Sequence, residues 1–245
     1  MIKVNGKIFN VKHFPDNSQC LMDFDINYGV DTYTISWRYE SDEELITLMY
    51  IVNHIRNKRG NHIYIDLILP YIPNARMDRV KHDSEIFTLK YFADFINSLK
   101  FEHVYALDIH SDVAAALINN IISIPVNLYI SKVIDDITKH YDNKDIVIYF
   151  PDAGAYKRYK DLEALIGYDK IYGQKVRNWE TGKIEGLKVV DANGTELKDK
   201  AVWPLADKTV IMIDDIISYG GTLYYSAEAI SKLKAKTIYA YATHV

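Results

Sequence analysis

The feature that most limits what this chain can fold into is a rhythm. Short apolar runs of strand length alternate with amphipathic stretches of helix length from residue 31 to the end of the 245 residues. DTYTISW (31–37) alternates as a strand does, and SDEELITLMYIVNHIRNKRG (41–60) predicts a helix with Ser41 or Asp42 as N-cap and Gly60 as its stop. HIYIDLILP (62–70) predicts a buried strand, SEIFTLKYFADFINSLK (84–100) a helix capped by Ser84, HVYALDIH (103–110) a strand and IPVNLY (124–129) a short strand. The rhythm then restarts. SKVIDDITKHY (131–141) reads as a helix, DIVIYFPD (145–152) as a strand and KDLEALIG (160–167) as a helix. DKIYGQKV (169–176) reads as a strand running into a flap, TVIMIDD (209–215) as a strand, the residues after Gly221 as a helix and KTIYAYATHV (236–245) as a last strand. Strands joined by helices of this length require crossover connections and mainly parallel sheets. The expectation is an α/β protein of two tandem domains, residues 1–135 and 136–245, each a mainly parallel sheet flanked by helices.

Composition narrows the setting. A single cysteine, Cys20, excludes an internal disulfide framework and any all-cysteine metal site, which fits a reducing cytoplasm. No apolar run approaches a membrane span, and the first residues lack the apolar region of a signal peptide. The formal net charge of −4 argues against nucleic acid as a partner. Twenty tyrosines accompany plentiful Ile, Asn and Lys, which points to compositional bias and not to an aromatic binding surface.

In open parallel sheets ligands bind at the carboxyl ends of strands. Four apolar runs end there in polar clusters: LILP-YIPNARMD, YALD-IHSD, VIYF-PDAGAYKR and VIMI-DDIISYGGT. In the last, Gly220 and Gly221 let a helix N-terminus approach an anion, and Thr222 is placed to cap that helix and donate its hydroxyl. Asp214 and Asp215 would repel the same anion, so their natural partners are hydroxyls or a divalent cation. A phosphate beside a vicinal diol describes a ribose phosphate. In PDAGAYKRY, Asp152 with Ala153, Gly154, Lys157 and Arg158 suits a metal-bound polyphosphate. Taken singly, His110 at a strand end reads as structural, and the charges of YGQKVRNWETGKIEG (172–186) as a solvated hairpin.

Together these stretches resemble the ribose-phosphate diphosphokinase (PRPP synthetase) family, which has the phosphoribosyltransferase-type fold. DDIISYGGT is similar to its ribose-phosphate motif, PDAGAYKR to its PDAGGAKR loop and LPYIPNARMDR to its ATP segment. ALDIHSD is similar to its M-D-L-H segment, and KHFPDNSQC stands where the family has F-x-[ND]-x-E. The resemblance implies ATP contacts from Arg76, Asp78, His110, Phe14 and Asp16, and Mg2+ held by His110 and Asp152. It implies a ribose-phosphate site of Asp214, Asp215, Ser218, Tyr219, Gly220, Gly221 and Thr222, with Lys175 and Arg177 as catalytic flap cations. Departures stand at Tyr219 for Thr or Ser, Met77 for Gln, Ala155 for Gly, Tyr156 for a small residue and Ser18 for Glu.

The activity so implied is transfer of the β,γ-diphosphoryl group of ATP to the 1-hydroxyl of ribose 5-phosphate, in a cytoplasmic homo-oligomer between dimer and hexamer. Three alternatives stay open. Tyr219 and Tyr156 leave room for a larger acceptor such as ADP-ribose. A PRPP-consuming phosphoribosyltransferase would share the DD loop, and a non-catalytic family partner would share the fold.

Overall fold

A computed structural model describes residues 1–22, 24–177, 184–198 and 205–245, with Arg177, Ile184 and Glu185 described by their backbone only. The chain divides into two compact units, residues Met1–Pro125 and Val126–Val245. No helix among the described residues is long and apolar enough to cross a membrane.

The first unit runs β1 (Ile2–Val4), β2 (Lys7–Ile8), β3 (Lys12–His13), β4 (Gln19–Cys20), β5 (Thr32–Trp37), α1 (Glu43–Arg59), β6 (Tyr64–Ile68), α2 (Thr88–Ser98), β7 (Val104–Leu107), α3 (Asp112–Leu117) and β8 (Ile121–Ile124). Its main sheet has the order β2-β1-β5-β6-β7-β8, and β5 to β8 are parallel. Strands are added in one direction, so right-handed crossovers keep the helices on one face. That face is apolar: Tyr33, Ile35, Trp37, Ile65, Leu67, Val104 and Ala106 pack with Leu48, Ile51 and Ile55 of α1 and Leu89, Phe92 and Ile96 of α2. α1 starts after Asp42 and stops at Gly60, whose φ of 85° is the left-handed region that favours glycine.

The second unit runs α4 (Asn127–Thr138), β9 (Ile146–Phe150), α5 (Ala153–Tyr159), β10 (Asp169–Arg177), β11 (Ile184–Asp191), β12 (Thr209–Ile216), α6 (Gly221–Lys232) and β13 (Thr237–His244). Its sheet order is β11-β10-β9-β12-β13, parallel except for β11 against β10. From the central pair, β9 connects through α5 to one side and β12 through α6 to the other. The two helices therefore lie on opposite faces, and a topological switch point falls between β9 and β12. Ile230 and Leu233 at the end of α6 pack on Val147, Tyr149, Val210 and Met212. On the other face, Tyr159 of α5 stacks on Phe150 with ring centroids 6.4 Å apart.

Several expectations shift. Ser84 does not cap α2, which begins at Thr88. The preceding residues close a turn in which the Lys81 amide donates to Glu85 Oε2 and the Glu85 amide to the His82 carbonyl. IPVNLY is not a strand: β8 ends at its first residue, Ile124, Pro125 has no N–H to continue the ladder, and Asn127 opens α4. KDLEALIG forms only a single 3-10 turn, Glu163–Leu165, tied by the Ala164 amide to Asn127 Oδ1 and ended by Gly167 at φ 86°. The helix of that crossover is α5, which begins directly at Ala153.

Candidate active site

The second unit brings most of its candidate residues to the carboxyl edge of β9 and β12. β9 ends at Phe150, and Asp152, in extended backbone, caps α5. Its Oδ1 accepts the amides of Gly154 (3.0 Å) and Ala155 (3.1 Å), while Oδ2 accepts Lys175 Nζ at 3.0 Å. Burial pushes the Asp152 carboxyl up, but the Ala155 amide, Lys175 and the Gly154 amide more than offset it, leaving it below the ordinary carboxylate value. Lys175 reaches Asp152 because β10 outruns β9. Their pairing ends at Tyr172 beside Phe150, and the next residues run up alongside Pro151 and Asp152. Lys157 is exposed one turn further along α5, and Arg158 turns inward.

On β12, Asp214 and Asp215 are successive residues and point to opposite faces. Asp215 Oδ2 accepts Arg158 Nη1 at 2.6 Å, and the Asp215 amide donates to Asp214 Oδ1 at 3.0 Å. Arg158 therefore balances the second aspartate from α5. Burial, and then the neighbouring Asp215 charge, push the Asp214 carboxyl up to about 7. The loop that follows carries Ser218 and a fully exposed Tyr219. Gly220 is the N-cap of α6 at φ 73°, a left-handed conformation suited to glycine, and no side chain caps the helix. Thr222, expected as a cap, is the second residue of the helix, because Gly220 already takes the N-cap position. A helix N-terminus with no side-chain cap can receive an anion at its first-turn amides. Tyr156, expected to alter the neighbouring loop, instead stacks on Tyr172 of β10 with centroids 4.6 Å apart.

In the first unit Asp78 is brought near His110, whose charge acts on its carboxyl. Asp78 also accepts Arg79 Nε at 2.9 Å, and that bond is the main cause holding its carboxyl below the ordinary value. Arg76 is exposed on a turn following Asn74, which adopts φ 62°. Phe14 and Asp16 lie in the loop between β3 and β4. Phe14 is exposed, and Asp16 Oδ1 accepts the Ser18 amide at 3.0 Å and hydroxyl at 2.7 Å. Ser18, where the family resemblance leads one to expect glutamate, thus serves to hold Asp16.

His110 belongs to the first unit and Asp152 to the second. Among the described residues no group of three or more His, Cys, Asp or Glu side chains converges to hold a metal. The side chain of Arg177 and residues 178–183 of the expected flap lie outside the described residues. Sequence reasoning missed Tyr149 and Ser226, a buried hydrogen-bonded pair beneath the site, and the close approach made at Gly173. Only the glycine gave a signal in the sequence.

The chain is 30% identical over 236 residues to the ribose-phosphate pyrophosphokinase of Campylobacter jejuni, covering 96% of this chain and 70% of that relative. It is 28% identical over 238 residues to the enzyme of the same description from Agrobacterium fabrum, covering 96% and 70%. Against that of Thermococcus kodakarensis it is 28% identical over 235 residues, covering 96% and 76%. Among solved structures, the phosphoribosylpyrophosphate synthetase from Mycobacterium smegmatis matches 97% of this chain and 72% of its own, at a TM-score of 0.70 and 21% identity, which shows a shared fold. No protein-family model matches the chain. With the Campylobacter jejuni likeness running through both units, the chain belongs to the ribose-phosphate pyrophosphokinase family.

Proposed function

We propose that the protein transfers the β,γ-diphosphoryl group of ATP to the 1-hydroxyl of ribose 5-phosphate, giving 5-phosphoribosyl 1-diphosphate and AMP. The observation that carries this reading is the contact of Lys175 with Asp152: a strand of the expected flap delivers a cation to the loop assigned to the diphosphate. In the reaction the 1-oxygen attacks the β-phosphorus and the bond from that phosphorus to the α,β-bridging oxygen breaks. AMP leaves with that oxygen, and the hydroxyl proton is lost to solvent.

The residues divide the work by charge. Lys175 and Arg177 offset negative charge at the β-phosphorus, where electrostatic stabilisation and positioning dominate. The amides opening α6, with Ser218 and Thr222, bind the 5-phosphate. Asp214 and Asp215 accept hydrogen bonds from the ribose hydroxyls, and Lys157 faces the diphosphate. Arg76, Asp78, His110, Phe14 and Asp16 bind ATP. By family resemblance Mg2+ would be held by His110 and Asp152, the latter offering a carboxylate oxygen to a hard cation. When bound, Mg2+ supplies charge neutralisation at the phosphate oxygens. The same reading gives a cytoplasmic homo-oligomer, which light scattering tests.

Mass spectrometry after incubation with ATP, Mg2+ and ribose 5-phosphate tests the reaction. AMP and 5-phosphoribosyl 1-diphosphate are expected; diphosphate release from added 5-phosphoribosyl 1-diphosphate and a base, with ATP intact, would sink it. A second reading, a larger acceptor such as ADP-ribose, is favoured by the fully exposed Tyr219 ring at the phosphate loop. Tyr156 lends it no support, being stacked on Tyr172. ADP-ribose in a parallel incubation decides between the acceptors, and activity on ribose 5-phosphate alone removes the second reading.

A further inference from the structure

Three elements meet at one phenol beneath the site. Tyr149 of β9 is fully buried, and its hydroxyl donates to Ser226 Oγ of α6, also fully buried, at 3.0 Å. Ser226 follows Thr222 by four residues and lies on the same helix face, one turn below the phosphate loop. On the other side β10 crosses close by. A Cβ added to Gly173 would stand 2.4 Å from the Tyr149 hydroxyl and 2.6 Å from the Pro151 carbonyl oxygen. Gly173 is two residues before Lys175 on the same strand. One buried oxygen, carried by the strand of the diphosphate loop, thus bonds the helix of the phosphate loop and occupies the space where a side chain on the flap-lysine strand would stand.

We propose that the Tyr149 hydroxyl is a positioning group for diphosphoryl transfer, fixing α6 against β10 so that the phosphate loop and Lys175 keep their separation. This rests on the reaction proposed above and extends it to residues that touch no substrate. The ring alone would fill the same space, so packing does not call for the hydroxyl. A buried hydrogen bond is short-ranged and directional, whereas apolar contacts tolerate sliding. Burial also pushes the phenol up to about 12, so it remains a donor at any working pH.

The test compares Tyr149→Phe, Ser226→Ala and the double variant. Each single change leaves one buried polar atom unpaired, while the double removes both, so its melting temperature should return toward that of the wild type. Positioning predicts that all three, the double included, lose about tenfold or more in kcat with the KM for ATP unchanged. It also predicts faster amide exchange in Tyr149→Phe across both α6 and β10, a readout that needs no turnover. Recovery of kcat along with stability in the double variant, or faster exchange in α6 alone, overturns the proposal. A wild type that forms no AMP refutes the reaction, and the exchange measurement still decides the positioning.

Discussion

The two sheets of this protein are built by the same connections and differ in one choice. In the first, β5 to β8 follow one another in order, so α1 and α2 share a face and no switch point arises. In the second, the chain leaves the central pair in both directions and opens a crevice between β9 and β12. The candidate residues differ accordingly. Those of the second unit are knitted together before any ligand binds, as Asp152 with Lys175 and Asp215 with Arg158. Of those of the first, Arg76 and Phe14 face solvent on loops, while Asp78 and His110 are half-buried. The comparison suggests that the second unit is built for positioning and the first for recognition, so substitutions should fail in different ways.

The largest effect is expected at Lys175. Lys175→Ala should lower kcat by about 10²–10³-fold, the scale of losing one preorganised charge partner in a transition state. The KM for ATP should change little, and an equal loss in both would remove the distinction drawn between the units. Next is stability. The Arg158 and Asp215 side chains are 29% and 9% exposed, so Arg158→Ala removes the charge partner of a buried carboxylate and should lower stability by about 1–3 kcal/mol by denaturant titration. Arg76→Ala should leave stability within about 0.5 kcal/mol while raising the KM for ATP. Similar stability losses from both would break the contrast.

The smallest expected effect is a pH slope. The Asp214 carboxyl rises from an ordinary 3.8 to about 7 on folding, so between these values the folded chain holds a proton that the unfolded chain has released. Its contribution to stability is complete below about 4 and is lost as pH rises through about 7. Asp152, held low, acts with the opposite sign, its contribution fading as pH falls into the acid range. Melting temperatures from pH 5 to 8 should therefore decline less steeply in Asp214→Asn than in the wild type. An unchanged slope would show that the aspartate pair does not carry uncompensated charge.

Much of the second unit could be read from the sequence because its information is local. The apolar run into Asp214, the glycines after it and the helix beyond all lie within one short stretch, and β12 and α6 form where expected. What escaped was either too short or too distant. β1 to β4 are two or three residues each, below the length at which alternation can be seen. α5 was hidden because Gly154 reads as a turn, although Asp152 before it is an effective cap. The ion pair of Arg158 with Asp215 and the bond of Tyr149 with Ser226 join residues 57 and 77 positions apart, which no local pattern reports. Tyr156 shows the converse error. Its departure from a family pattern suggested a ligand-facing change, and the ring is spent on Tyr172 instead.

The missing side chain at Gly173 has a consequence for how such a protein can change over time. A tyrosine at 149 is accommodated because position 173 offers no Cβ and position 226 offers a small hydroxyl. No one of these three residues can drift freely while the other two stay as they are. Replacing Gly173 first meets the phenol and the Pro151 carbonyl, and replacing Ser226 first strands a buried donor. Descendants of this chain are therefore expected to keep the trio or exchange it as a set, so that these three positions covary although they are scattered along the chain.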